Sequence, residues 1–180
     1  MRIGPDGLAG GARYLPSPNC DARPRGSAVS LLVLHSISLP PGRYGGDAVE
    51  RLFTNRLDPA AHPYFRDISR LRVSAHFFVR RDGALQQFVP VHRRAWHAGA
   101  SRWRGRERCN DFSVGVELEG LEQRAFTAAQ YACLARLTRA LAAQLPLRAC
   151  AAHSEVAPGR KRDPGARFRW ASLLRALALR

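Results

Sequence analysis

The sequence predicts an α/β fold: a single domain with a mixed central β-sheet flanked by helices. Three observations predict it. Ser30-Leu-Leu-Val-Leu-His-Ser-Ile-Ser38 is apolar on both faces and closed by Pro40-Pro41-Gly42, which is the pattern of a buried central strand. Val73–Arg80 and Ala84–Val89 flank Arg81-Asp82-Gly83, and Asp-Gly between two apolar runs signals a β-hairpin. Thr127-Ala-Ala-Gln130 reads as a capping box, followed by Tyr131, Leu134, Thr138, Leu141 and Leu145 at helical spacing. Strand and helix patterns interleave along the chain, so both belong to one layered unit.

With 180 residues the chain can bury one core without disulfides or a structural metal. A metal in it would serve chemistry instead. The hydrophobic fraction of 46% and charged fraction of 24% are those of a globular protein. A net charge of +15 raises nucleic acid or an anionic surface as partner. The arginines, however, are spread through every segment beside abundant Ala, Gly and Pro, as codon bias in a GC-rich genome would produce. A preference for anionic ligands survives that reading; a nucleic-acid function does not follow from it. Cys20, Cys109, Cys133 and Cys150 form no Cys-x-x-Cys pair and read as free thiols in a reducing compartment. The N-terminus has no apolar core of signal-peptide length, and no segment is long enough to span a membrane. The expected location is the cytoplasm.

In chain order, residues 1–29 read as an irregular lead-in rich in Gly, Pro, Asp and Arg, pinned to the domain by side chains such as Tyr14 and Leu15. The buried strand that follows carries His35 at its carboxyl end, where ligands gather in α/β proteins. Residues 42–72 are mixed, with a short helix expected over Asp47–Phe53, a break at Asp58-Pro59, and His62 as a structural or surface residue. In the hairpin His76 shares a face with Phe78 and reads as a core residue or a support to a site. Residues 94–109 form a loop presenting Trp96, Trp103 and several arginines, suited to a sugar or peptide bearing carboxylates. Phe112–Gly120 alternates, with Val114, Val116 and Leu118 on one face and Ser113, Gly115, Glu117 and Glu119 on the other. That second face reads as solvent-facing, except that Gly115 opens room for an approach beside Glu117. Trp170, Leu173, Leu174 and Leu177 mark an amphipathic C-terminal helix expected to dock on the sheet.

Chemistry concentrates in Ala151–Gly165, where Pro158, Gly159, Pro164 and Gly165 prevent long regular structure. His153, Lys161 and Asp163 fall in this run, and Lys161 is the only lysine, the other 28 of the 29 basic residues being arginine. A compact ammonium does what a planar guanidinium fork cannot. Zinc hydrolases use three protein ligands and leave a position for water. His35, His153 and Asp163 could supply such a set, with Glu117 as general base and Lys161 beside a developing oxyanion. Spacing alone does not single them out, because no compact His-Glu-x-x-His motif is present.

Further runs are more specific: HSISLPPG (35–42), RVSAHFFVRRDG (72–83), RRAWHAG (93–99) followed by GRERCNDFSVGVELEG (105–120), and APGRKRDPG (157–165). Together these resemble the type 2 N-acetylmuramoyl-L-alanine amidase family, which is related in fold to the peptidoglycan recognition proteins. The likeness runs from about Tyr14 to Trp170. It implies a cytoplasmic, Zn2+-dependent amidase domain over 30–180 that cleaves the bond between the lactyl carbonyl of anhydro-N-acetylmuramic acid and L-alanine in recycled wall fragments. On matching positions it implies His35, His153 and Asp163 as zinc ligands, Glu117 as general base or acid and Lys161 as transition-state cation. It also implies substrate contacts from Ser36, Arg72, Trp96 and Arg108. The partner implied is an anhydro-muropeptide, with no nucleic acid, membrane or obligate protein partner. Where wall recycling governs an inducible β-lactamase, the family keeps inducing muropeptides low.

Two departures stand out: Ser36 replaces a commoner Asn, and Ala152 and Glu155 flank His153 where Gly and Asp are frequent. Neither removes a catalytic group. Two other classes remain in view. A muropeptide-recognition module that does not cut would typically lack a zinc ligand, and an arginine-rich nucleic-acid binder would show steep salt dependence without zinc.

Overall fold

The computed structural model describes residues 1–178. In chain order the strands are β1 (Arg13–Tyr14), β2 (Cys20–Ala22), β3 (Leu31–Ile37), β4 (Phe77–Val79), β5 (Leu85–Gln87), β6 (Arg93–Ala95), β7 (Arg102–Trp103), β8 (Arg106–Glu107), β9 (Ser113–Glu119) and β10 (Ala149–Ala152). The helices are α1 (Ala48–Phe53), α2 (Pro63–Ile68), α3 (Ala128–Gln144), α4 (His153–Val156) and α5 (Trp170–Ala178), with a 3-10 turn at Cys109–Asp111. Six strands form one mixed sheet in the order β1-β5-β4-β9-β3-β10, in which only the β4–β5 hairpin is antiparallel. Helices cover it, so the α/β architecture is as the sequence predicts.

β3 and β9 are central because both of their faces can be buried: Leu31 to His35 and Ser113 to Val116 are all buried. On one face Leu32, Leu34, Val114, Val116, Leu118, Phe77 and Val79 pack against Tyr131, Leu134, Leu137 and Leu141 of α3. α3 is tied at its start by the capping box: the Thr127 hydroxyl accepts from Gln130 N at 3.1 Å, and Gln130 Oε1 accepts from Thr127 N at 3.0 Å. The Gln130 amide also donates to the carbonyls of Val79 and Glu119, fastening the helix to the ends of β4 and β9.

Several expectations are corrected. The lead-in is not irregular: β1 extends the sheet alongside β5, and β2 pairs with β6 in a separate two-stranded ribbon. Its anchors are the buried Ile3 and Ala9, whereas Tyr14 is exposed; Leu15 does pack on the core. The Trp96–Cys109 region carries the β7–β8 hairpin in place of a loop, and α2 and β10 were not foreseen. The second face of β9 is mostly buried, with Glu117 alone partly exposed. Glu119 is buried, its carboxylate accepting from Gly45 N at 2.6 Å and Arg81 N at 2.9 Å. α5 docks on α3 instead of the sheet, through Trp170, Leu173 and Leu177, and Leu174 is left exposed. Arg139 of α3 closes this contact by donating to the Ala176 carbonyl.

His62 is structural, accepting from Tyr64 N at the start of α2. The four cysteines are free, with Cys109 and Cys133 buried. No described helix is long and apolar enough to cross a membrane.

Leu134 is fully buried at the α3–sheet contact. Leu134→Ala is expected to destabilise the protein by about 2–5 kcal/mol through lost burial and a residual cavity, read as a lower urea midpoint with an unchanged slope.

Candidate active site

Parallel pairing brings the site together. β10 runs beside β3 with Ala152 opposite Leu34, so the next residue, His153, opens α4 beside His35. On the other side of β3, Glu117 of β9 pairs in register with His35. The three lie at the carboxyl ends of parallel strands, on the face opposite α3. Asp163 is delivered by the loop after α4, where the Asp163 carbonyl accepts from Ser154 N at 3.0 Å. The same loop is held by Arg160, which donates to the carbonyls of Ala98 (2.5 Å) and Ala100 (2.7 Å). It ends at Gly165, whose φ of +89° and closeness to the Glu122 backbone leave no room for a side chain.

His35 Nδ1 and His153 Nδ1 are 2.9 Å apart, and Asp163 Oδ2 lies 3.3 Å from the first and 3.0 Å from the second. Burial drives the His35 imidazole toward neutrality, to a pKa of about 4, although Asp163 pulls it up. Burial also raises the Asp163 carboxyl, but the facing His153 and His35 overcome that and hold it below the ordinary carboxylate range.

Hydrogen bonds fix where the ring protons sit. Ser113 Oγ donates to the Cys109 carbonyl at 2.6 Å, so toward His97 Nε2, 3.2 Å away, it acts as acceptor. His97 Nε2 therefore carries its proton, and His97 Nδ1 accepts from His35 Nε2 at 2.9 Å. His153 Nε2 faces the Ala98 carbonyl at 3.4 Å. His35 Nδ1 is then a bare lone pair turned toward His153 Nδ1 and a carboxylate, while His153 Nδ1 lies closer to Asp163 Oδ2, at 3.0 Å, than its Nε2 does to the Ala98 carbonyl. Two imidazole nitrogens and a carboxylate oxygen converging on one point are an arrangement that a divalent cation satisfies well. Two neutral imidazoles and one carboxylate suit Zn2+. Among the described residues, this is the group of three with ligand atoms within 4.8 Å of one another.

Glu117 stands beside this centre. Its Oε2 is buried and has no hydrogen-bond partner. Burial, with the charge of Asp163 added, raises its carboxyl well above the usual range, against the pull of Lys161. Glu117, Lys161, His153 and Asp163 line one cavity of about 510 Å³, together with Ser36, Trp96 and His97. Tyr64, Leu71, Leu121, Glu122 and Arg162 extend its walls. Arg72 and Arg108 are not among its lining residues. Arg72 is exposed and turned to the Arg70 carbonyl. Arg108 pairs with Asp111 and borders a separate depression with Arg102 and Pro158.

Sequence reasoning missed His97, although the run RRAWHAG contains it, because a histidine in a loop shows no partner until the chain folds. Gly115 was read as opening room beside Glu117, and the occupant is the His97 ring. A Cβ at Gly115 would lie 2.4–2.7 Å from that ring. His76 is a core residue: its Nδ1 accepts from Gly115 N at 3.0 Å, so its Nε2 donates to the Arg93 carbonyl. Gly115→Ala should cost about 1–3 kcal/mol by overpacking. The added cost should largely vanish in the His97→Ala background, a coupling that a double-mutant cycle of urea unfolding measures.

The N-acetylmuramoyl-L-alanine amidase family matches residues 25–166. The 1,6-anhydro-N-acetylmuramyl-L-alanine amidase AmpD of Escherichia coli (strain K12) is 54% identical over 163 residues, 89% of each chain. The crystal structure of a selenomethionine derivative of AmpD superposes with a TM-score of 0.96 at 50% identity, covering 98% of this chain and 99% of that one. The amidase AmiD from E. coli, solved with the substrate anhydro-N-acetylmuramic acid-L-Ala-D-γ-Glu-L-Lys, superposes at 0.61 with 27% identity, over 86% of this chain and 60% of that one. With its fold, its cavity and the matched span in agreement, the chain belongs to the N-acetylmuramoyl-L-alanine amidase family.

Proposed function

We propose that the protein is a zinc-dependent 1,6-anhydro-N-acetylmuramyl-L-alanine amidase of peptidoglycan recycling, acting on anhydro-muropeptides in the cytoplasm. The observation that carries the zinc assignment is the convergence of His35 Nδ1, His153 Nδ1 and Asp163 Oδ2. The substrate class is supported by the AmpD likeness and by the ligand held in the AmiD complex. The free thiols agree with a reducing compartment. The catalytic unit is residues 30–180, with 1–29 as a lead-in packed on it.

When bound, the cation acts as a Lewis acid, lowering the pKa of water toward neutrality and polarising a carbonyl. Glu117 takes a proton from the water that attacks the lactyl carbonyl, and its unpartnered Oε2 is the atom available for it. As the new C–O bond forms, Lys161 places its ammonium near the carbonyl oxygen that gains charge. The C–N bond then breaks, and Glu117 returns the proton to the departing amine of L-alanine. Burial raises the Glu117 carboxyl, which makes its carboxylate a stronger base than an ordinary one. Ser36 and Trp96 line the cavity and are placed to contact the substrate. Arg72 and Arg108, which stand away from the cavity, are not assigned contacts in this arrangement.

Removal of metal by a chelator should abolish hydrolysis of anhydro-N-acetylmuramyl-peptide, and added Zn2+ should restore it; full activity in metal-free protein would overturn the assignment. Glu117→Ala should retain zinc, measured by metal analysis, yet lose turnover by about a hundredfold or more. Lys161→Arg should lower kcat by about tenfold or more, because the fork does not occupy a point-charge site; wild-type kinetics would refute the role. A recognition module would bind the muropeptide in all these forms and cleave it in none.

A further inference from the structure

We infer that His97 is a positioning residue that selects the tautomer of His35. The inference rests on the proposal that His35 and His153 bind the metal.

An imidazole offers a lone pair at Nδ1 only if its proton is at Nε2, and what Nε2 faces decides that. His35 Nε2 faces His97 Nδ1 at 2.9 Å. Were the proton moved to His35 Nδ1, two lone pairs would oppose each other across that distance. His97 cannot reverse its own proton to relieve this, because its Nε2–H is engaged by Ser113 Oγ, whose hydrogen is committed to the Cys109 carbonyl. The chain therefore ends on an atom that can only accept. The His153 tautomer is not fixed in this way: its Nε2 faces the Ala98 carbonyl at 3.4 Å, but its Nδ1 lies closer, at 3.0 Å, to Asp163 Oδ2, so the control falls on His35.

The Trp96–Ala98 segment is built to hold this geometry. The Asn110 Oδ1 atom accepts from His97 N at 3.2 Å and from Ala98 N at 2.9 Å, fixing two successive peptide units. Trp96 N donates to Ser74 Oγ, and Trp96 O accepts from Ser74 N, at 3.2 and 3.1 Å. The His97 ring lies against Gly115, which supplies the missing side-chain volume. A ring restrained on its sheet side, at its backbone and at both nitrogens has one orientation to offer His35.

The test compares His97→Ala, His97→Asn and Ser113→Ala with the wild type as full-length, metal-free protein. Long-range proton–nitrogen NMR reads the His35 tautomer, and competition against a chromogenic chelator reads the affinity for ZnCl2. The wild type should show His35 protonated at Nε2. His97→Ala should populate the Nδ1-protonated form and bind Zn2+ about 10–100-fold more weakly, as expected for loss of an outer hydrogen-bond partner. In His97→Asn, Oδ1 takes the place of Nδ1 as acceptor, so most of the affinity and the wild-type tautomer should return. Ser113→Ala frees the His97 proton and should mix the His35 tautomers without removing the ring. A residue that merely fills space would lower the urea midpoint, leave the tautomer alone and gain nothing from Asn over Ala.

A wild-type tautomer and affinity in folded His97→Ala would overturn the inference, as would an Asn variant as weak as the Ala variant. Should His97→Ala not fold, unchanged tautomer and affinity in Ser113→Ala overturn it equally. Failure of the parent proposal looks different: His35→Ala would then bind Zn2+ as tightly as the wild type.

Discussion

The centre of the molecule depends on three atoms of ligand type, His35 Nδ1, His153 Nδ1 and Asp163 Oδ2, held in mutual contact. Such a cluster persists only if something else fixes each group, since polar groups taken out of water are costly unless their partners are all in place. Parallel pairing of β3 with β10 fixes the two histidines as neighbours. Asp163 comes from a loop free to take another path, and more restraints act there. The Ser154 amide holds its carbonyl, Arg160 ties the loop to the Ala98 and Ala100 carbonyls, and Gly165 lets it pass against the Glu122 backbone. The fold spends its strongest local restraints where the free protein gains least from them.

The sheet divides its labour by face. Toward α3 the side chains of β3 and β9 are Leu, Val and Leu, and α3 seals them. On the opposite face the same strands present His35, Ser113, Gly115 and Glu117, with Val33 between, so a polar row runs across the middle of the domain. Neighbouring segments cover part of the row with matched groups. Arg23 reaches in from the lead-in and donates to the carbonyls of Asn110, Asp111, Val91 and Ser113, which closes the row at its lower end. Burial draws that guanidinium down to a pKa of about 10, still far above neutrality, so it keeps its charge while binding backbone. At the upper end the row opens into the cavity, where Glu117 Oε2 remains the unpartnered atom. A buried carboxylate oxygen without a donor, next to the His35, His153 and Asp163 cluster, is costly to the free protein and marks the position as one kept for something other than stability.

What the sequence made legible followed from local periodicity. The apolar run at β3, the Asp-Gly hairpin and the Thr127–Gln130 capping box each encode an element within a few residues, and all three appear where expected. β1, β2 and β10 were not legible, because strands of two to four residues carry too little pattern and owe their shape to partners far along the chain. The face of β9 carrying Glu119 was misread for a related reason: alternation says which residues share a face, not what covers it. At the site, His35, His153, Asp163, Glu117 and Lys161 stood out by residue type and by family likeness, and they do come together. Arg72 and Arg108 were drawn from the likeness alone and stand away from the cavity. His97 could have been found only by asking what fills the space left by Gly115.

That last pairing bears on how such a site can vary. The His97 ring needs the absent Cβ at residue 115, and without the ring a glycine in a central strand has no compensating use, being weaker there than alanine or valine. His97 in turn is oriented by Ser113, two residues before Gly115 on the same strand and on the same face. Its other nitrogen meets His35, which pairs with Glu117, two residues beyond. One strand face, Ser113-x-Gly115-x-Glu117, therefore carries the group that meets His97, the space for its ring and the cavity-lining carboxylate at successive inward positions. A register slip of one residue would turn all three out of the site at once. The catalytic geometry is for this reason no more plastic than the pairing of β9 with β3, and substitutions that preserve the cluster but loosen that pairing should act on chemistry before they act on shape.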